Sequence, residues 1–189
     1  PASVRYPRGV SLGVKMDAEP KALPIGQGEI LKEGTDVALI AIGVAVWEAF
    51  KAAERLELEG ISTAVVNGRF VKPLDAGLIG DVAKKVRYVV TVEEGACMGG
   101  FGSAVLEALS DLGLTHLRTK VLGLPDWYIE QGPQDLLRER YGLTADGIYE
   151  SVKTLFAREV TSEPASTRGN LAASGFMKKR ESFGDEQGS

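Results

Sequence analysis

Thr63-Ala64-Val65-Val66-Asn67-Gly68-Arg69-Phe70-Val71-Lys72-Pro73-Leu74-Asp75 is the stretch whose reading decides the fold. Its first four residues are small or β-branched and follow Gly60, the signature of a short buried strand. A glycine, a basic residue and a proline come next, and a helix is expected from about Asp75. In an open parallel sheet, ligands gather at the carboxyl ends of strands, where the loops are free of sheet hydrogen bonding. Arg69 falls at that end. Two readings stand for it: a guanidinium that clamps a phosphate or carboxylate bidentately, or a surface arginine whose apolar stem lies on the sheet.

Upstream, Asp36 to Ile42 (DVALIAI) is a nearly continuous apolar run, which predicts a central strand covered on both faces. Gly43 breaks it, and Val46, Ala49, Phe50, Ala53 and Leu56 then recur at helical spacing until Gly60. A short edge strand is expected within Gly26 to Leu31, turned at Glu33-Gly34. Downstream, a helix over Ala76 to Val86 leads to a buried strand, Tyr88 to Val92, closed by Glu93-Glu94. The glycine loop Gly99-Gly100-Phe101-Gly102 then opens a helix with Ser103 as its expected cap. Leu117 to Leu122 is a further strand. A helix from Pro133 to Gly142 and another carrying Ile148, Val152, Leu155 and Phe156 complete the pattern. Strands alternating with helices predict an α/β fold, a largely parallel sheet with right-handed crossovers.

The composition is that of a globular chain. With 189 residues, 44% of them hydrophobic and 25% charged, one well-buried domain is expected. A net charge of −4 argues against nucleic acid as a partner, and no apolar run is long enough to span a membrane. The single cysteine, Cys97, excludes an internal disulfide framework and suits a reducing cytoplasm. The chain begins at Pro1 rather than methionine, so it is expected to be a piece of a longer protein. Residues 1–24 read as the end of an upstream unit plus a linker, 25–158 as the folded domain, and 159–189 as a flexible polar tail. Lys178-Lys179-Arg180 in that tail reads as solvated.

Few residues offer bond chemistry. Gly100-Phe101-Gly102 opens like a dinucleotide fingerprint but lacks its third glycine, and no acidic residue closes the next strand. A tight strand-to-helix turn is the expected role, with helix-start N–H groups available to a partner segment. Glu93 and Glu94 are adjacent and must point to opposite faces of a strand, so they cannot act as a facing acid/base pair. They read as structural, with reach to a neighbouring subunit's site as the alternative. His116, the one histidine, falls at the opposite end of the sheet from Arg69, which makes triads and histidine metal sites hard to build. Cys97 reads as a packing residue, and Asp126 as a turn cap or a substrate contact. Arg5, Arg8 and Arg69 remain as guanidiniums that can converge on an anion without any nucleophile.

Five motifs now stand in order: RYPRG (Arg5 to Gly9), LPIGQGEILKEG (Leu23 to Gly34), NGRFVKPLD (Asn67 to Asp75), VTVEEGACMGGFGSAV (Val90 to Val105) and LGLPDWYIEQG (Leu122 to Gly132). Together they resemble the carboxyl-terminal third of the 1-deoxy-D-xylulose-5-phosphate synthases, from Pro1 to about Phe156. The resemblance implies a transketolase-type carboxyl-terminal domain, with helices on both faces of a parallel sheet and one antiparallel edge strand. Residues 1–24 would then end an upstream pyrimidine-binding domain. Such enzymes use thiamine diphosphate and Mg2+ to decarboxylate pyruvate and join its two-carbon unit to glyceraldehyde 3-phosphate, on the way to isoprenoids, thiamine and pyridoxal. The resemblance implies a homodimer in the cytoplasm, or in a plastid for a plant or algal parent.

By the same resemblance Arg69 holds the acceptor's phosphate, joined by a second arginine placed on Arg8, with Arg5 as the alternate. Gly95 departs from the asparagine many members carry after the two glutamates. The metal and diphosphate motif, the cofactor-activating glutamate and the catalytic histidines of the family are not among these 189 residues, so no catalytic residue is assigned and the piece alone is expected to be inactive. Two enzymatic alternatives share the EEG–glycine-loop segment: the β subunit of a 2-oxoacid dehydrogenase and a split transketolase subunit. A non-catalytic module binding anions or a protein is the alternative from another class.

Overall fold

A computed structural model describes residues 13, 18–19 and 21–162, with side chains described through residue 157. Among the described residues ten elements follow one another: β1 (Glu29–Lys32), β2 (Val37–Ala41), α1 (Ala45–Leu58), β3 (Thr63–Asn67), α2 (Ala76–Ala83), β4 (Tyr88–Ala96), α3 (Phe101–Asp111), β5 (Arg118–Leu124), α4 (Gln134–Arg140) and α5 (Ala145–Ser162). They form one five-stranded sheet in the order β1-β3-β2-β4-β5. β2, β3, β4 and β5 run parallel, and β1 is antiparallel to β3 at the edge. This is the α/β architecture expected, a largely parallel sheet with one antiparallel edge strand.

The sheet order explains where the helices lie. From β2 the chain crosses to β3 on one side, then returns past β2 to β4 on the other. Two crossovers of one hand in opposite directions place their helices on opposite faces. Accordingly, α1 and α5 cover one face, where Ala49, Ala53, Leu56, Ile148 and Val152 pack on Val37, Leu39 and Val90. α2 and α3 cover the other, where Ile79, Val82, Val105 and Leu109 pack on Ala38, Ile40 and Val66. Every residue of β2 is fully buried, which is why DVALIAI shows no alternation. Closeness sets residue size at the sheet's entry. A Cβ on Gly34 would lie 2.2 Å from the Thr63 carbonyl carbon and 2.2 Å from the Ala64 nitrogen, inside the β3 backbone.

α1 and α5 are also tied through polar groups. Glu48 accepts a 2.8 Å hydrogen bond from Ala145 N at the start of α5. Glu59 accepts from the Tyr149 hydroxyl and the Lys153 ammonium, and Arg55 pairs with Asp146 while lying 4.3 Å from the centre of the Tyr149 ring. Tyr88, at the start of β4, packs its ring 4.5 Å from that of Phe156.

Several boundaries differ from those expected. β1 lies at Glu29–Lys32 rather than Gly26 to Leu31, with a bulge between Ile30 and Lys32. α2 stops at Ala83, and α4 spans Gln134–Arg140 with Pro133 as its cap position. β4 does not close at Glu93-Glu94 but continues to Ala96, because Ala96 regains pairing with Leu124 of β5 after a register shift. α5 continues to Ser162, and the tail beyond it lies outside the described residues.

Candidate functional site

The carboxyl ends of β2, β3 and β4 meet at the point where the strand order reverses, the place where open α/β sheets bind ligands. Two bonds close the backbone there. Gly68 N donates to Ala41 O at 2.8 Å, and Ile42 N donates to Val92 O at 3.1 Å. Gly68 is small because a Cβ would lie 2.5 Å from the ring of Phe101, the first residue of α3.

Arg69 leaves this junction in the left-handed region, with φ of 53°, the one non-glycine residue with positive φ among the described residues. Such a conformation persists only where neighbours hold it. Here Asn67 does so: its Oδ1 accepts from Arg69 N at 3.1 Å, an Asx-type bond that turns the chain. The Arg69 side chain is 23% exposed, and one terminal nitrogen donates to Glu29 on β1. The backbone is thus held by Asn67 and the partly buried guanidinium by Glu29.

The loop before β1 folds across the loop after β3. Asp75 is the link. Its Oδ2 accepts from Gly28 N at 2.9 Å, and its Oδ1 accepts from Leu78 N at 3.0 Å, capping α2. Gly26, at φ of 75°, packs on Pro73, where a Cβ would approach the ring carbon to 2.8 Å.

At the end of β4 the two glutamates separate as the strand geometry requires. Glu94 is exposed and pairs with Arg138 at 2.7 Å. Glu93 is 4% exposed, and its carboxylate accepts from Phe101 N at 2.9 Å and from Gly102 N at 2.8 Å. Glu93 therefore caps α3 from eight residues upstream, and the helix-start N–H groups are not available to a partner segment as expected. Ser103 does not cap the helix either. It sits inside α3, where its hydroxyl accepts from Gly99 N at 2.9 Å and donates to Cys97 O at 3.0 Å, holding the glycine loop. A Cβ on Gly100 would lie 2.2 Å from Ala96 O and 2.4 Å from a Glu93 carboxylate oxygen, and one on Gly123 would lie 2.9 Å from Gly95 O and 3.1 Å from the Glu93 stem.

The other candidates stand apart. Burial, and then the Glu93 carboxylate, push the Cys97 thiol above its ordinary range, away from the nucleophilic thiolate and in keeping with a packing role. His116 is exposed in the turn before β5, at the opposite end of the sheet from Arg69. Asp126 is exposed after β5. Arg5 and Arg8 lie outside the described residues. Sequence reasoning missed Glu29, whose only signal was a charge on a short edge strand, and the capping role of Glu93.

Among the described residues no cluster of three or more His, Cys, Asp or Glu side chains is placed to hold a metal, and no helix is long and apolar enough to cross a membrane. The N–H groups at the start of α3, which a diphosphate would need, are occupied by Glu93. The described residues do not fit a diphosphate–metal pair. What they offer is a positioned guanidinium.

The chain belongs to the transketolase C-terminal domain family, which it matches over residues 26–148. Within that family it is similar to the carboxyl-terminal portion of 1-deoxy-D-xylulose-5-phosphate synthases. It is 48% identical to 1-deoxy-D-xylulose-5-phosphate synthase 1 of Geobacter sulfurreducens, over 87% of this chain and 26% of the relative. It is 53% identical to 1-deoxy-D-xylulose-5-phosphate synthase 1 of Geobacter metallireducens, over 82% of this chain and 25% of the relative. The chain thus spans about a quarter of the length of these relatives. Among solved structures it is similar to a split gene transketolase described as an inactive β4 tetramer, with 39% identity, a TM-score of 0.64, and coverage of 70% of this chain and 43% of that one.

Proposed function

We propose that this chain is the acceptor-holding portion of a thiamine diphosphate-dependent transferase of the 1-deoxy-D-xylulose-5-phosphate synthase type. In the complete protein, pyruvate loses CO2 and its two-carbon unit is joined to glyceraldehyde 3-phosphate. Thiamine diphosphate and Mg2+ are held by residues outside this chain and supply the carbanion chemistry. Arg69 holds the acceptor's phosphate, and Arg8, with Arg5 as alternate, supplies a second guanidinium. The observation that carries this reading is the Arg69 guanidinium itself, partly buried at the carboxyl end of β3 on a backbone locked in the left-handed region. A pre-aimed fork of donors is what bidentate phosphate recognition needs. Exposed Met98, Trp127, Tyr128 and Leu136, in or after the loops at the ends of β4 and β5, support a homodimeric or interdomain contact on this side of the sheet.

The test is Arg69→Ala in the complete enzyme. Loss of one charge-assisted contact costs about 1.5–3 kcal/mol, so the KM for glyceraldehyde 3-phosphate should rise roughly 10- to 150-fold. The KM for pyruvate should stay where it was. Equal effects on the two substrates refute the assignment.

A second reading is favoured by the likeness to a split gene transketolase: the chain as a separate subunit that completes its site with a thiamine-binding partner. The mass of the native polypeptide separates the two. A species near 20.2 kDa supports the separate subunit, and a species several times heavier supports the single long enzyme.

A further inference from the structure

The partner of Arg69 is an acid, although the site is read as an anion site. Glu29 lies on the antiparallel edge strand directly opposite Asn67, and its carboxylate bonds one terminal nitrogen of the Arg69 guanidinium. Glu29 is not a loose surface group that happens to reach. The residue before it is pinned by Gly28 N to Asp75, and the Glu29 backbone is fixed by pairing with β3. Its side chain is 45% exposed, against 23% for Arg69, so the pair opens toward solvent on the Glu29 side.

Two consequences follow from the chemistry of a guanidinium. It presents five N–H donors in a fork, and Glu29 takes one of them. The Nε–H and the other terminal nitrogen make no hydrogen bond among the described residues, so one of them, with the second N–H of the bonded nitrogen, leaves a forked donor edge open. At the same time the Glu29 charge cancels that of Arg69 at close range. An incoming anion meets a neutral pair, and it competes with a carboxylate tethered in the same chain at high effective concentration. A ligand ending in a single carboxylate can take the open edge, but it spends both oxygens there and brings one charge, against a site whose charge Glu29 already balances. A phosphate, with more acceptor oxygens and up to two charges, can take the open edge and still engage a second cation.

We infer that Glu29 is a specificity-determining residue of the acceptor site: it takes one donor of the Arg69 guanidinium and balances its charge, and so disfavours carboxylate-ended acceptors relative to phosphorylated ones, while weakening phosphate binding itself. This rests on the phosphate role given to Arg69 above.

The test is Glu29→Gln in the complete enzyme, a change that keeps a hydrogen-bond acceptor for Arg69 and removes the charge. Removing a negative charge a few ångströms from the phosphate should lower the KM for glyceraldehyde 3-phosphate roughly three- to tenfold, by Coulomb's law in a watery surrounding. Inorganic phosphate, titrated calorimetrically without pyruvate, should bind tighter by the same factor. In Glu29→Ala, which also frees the donor that Glu29 occupies, an aldehyde carrying a carboxylate in place of the phosphate should gain proportionally more in kcat/KM than glyceraldehyde 3-phosphate does, and the KM for pyruvate should not move in either variant. In an Arg69→Ala background the Glu29→Gln effect should vanish. An unchanged or raised acceptor KM in Glu29→Gln overturns the inference, as does an effect that survives the loss of Arg69. If Arg69→Ala raises the acceptor KM while Glu29→Gln does nothing, this inference alone fails. If Arg69→Ala does nothing, the proposed function fails with it.

Discussion

Replacing Glu93 tests how the glycine loop and α3 are held to the sheet. The carboxylate is 4% exposed and accepts from Phe101 N and Gly102 N at 2.9 and 2.8 Å. Each is a hydrogen bond to a carboxylate, worth about 1.5–3 kcal/mol, and together they satisfy two donors that α3 cannot satisfy itself. In Glu93→Ala both N–H groups lose their partner at a site where the replaced side chain was 4% exposed. The expected loss is about 3–5 kcal/mol, which for a domain of this size lowers Tm by roughly 10–15 °C. Glu93→Gln keeps one carbonyl oxygen but turns an amide NH2 toward the second donor, so about half the loss should remain. Urea and thermal unfolding of the chain measure both variants. A Glu93→Ala chain within about 1 kcal/mol of the parent would show that water or a loop shift replaces the cap, and would refute the reasoning.

Two further outcomes are expected. Gly34→Ala should destabilise by about 2–3 kcal/mol in the same unfolding assay, because the new methyl lands on the backbone of a strand that cannot move; an unchanged midpoint would mean that the β1–β2 turn yields freely. The bonds from Lys153 and then Tyr149 hold Glu59 below its ordinary 4.5, so its contribution is present above that value and lost as pH falls through the depressed one. The same contact with Glu59 raises Tyr149 and Lys153 above 10.0 and 10.5, so that contribution is present below those values and lost as pH rises past the raised ones. The Tm difference between the parent and Glu59→Gln should therefore be flat through neutral pH and close in acid below the carboxylate range; a difference that persists there would assign it to packing.

What could be read from the sequence was whatever a short window contains. β2 and β3 were legible because strands buried on both faces must be apolar throughout, and α1 because Ala49, Ala53 and Leu56 repeat at helical spacing. Arg69 was legible as a basic residue in a strand-to-helix loop, and its backbone strain was not, because that depends on the Asn67 side chain and the β1 edge. β4 was cut short at Glu93 because a polar EEGA run carries no strand signal; its pairing with Leu124 comes from the neighbouring strand. Ser103 was a reasonable local cap, but a carboxylate in a different element won the helix start. The Glu29–Arg69 pair joins residues 40 positions apart, beyond any periodicity. The edge strand was read within Gly26 to Leu31, but its antiparallel direction came from the family resemblance.

The two rims of the sheet bear on how this chain behaves at high concentration. An open β-sheet carries unpaired backbone groups at both margins and is liable to stack edge on edge into aggregates. Among the described residues one margin is a strand of four residues, broken by a bulge and ending in Lys32. The other is β5, whose outer half carries Arg118 and Lys120 beside exposed Thr119. Short length, irregular register and cationic side chains each make a rim a poor template for a further strand. Self-association of this chain should accordingly run through side-chain faces and loop ends, not through growth of its sheet into a fibre.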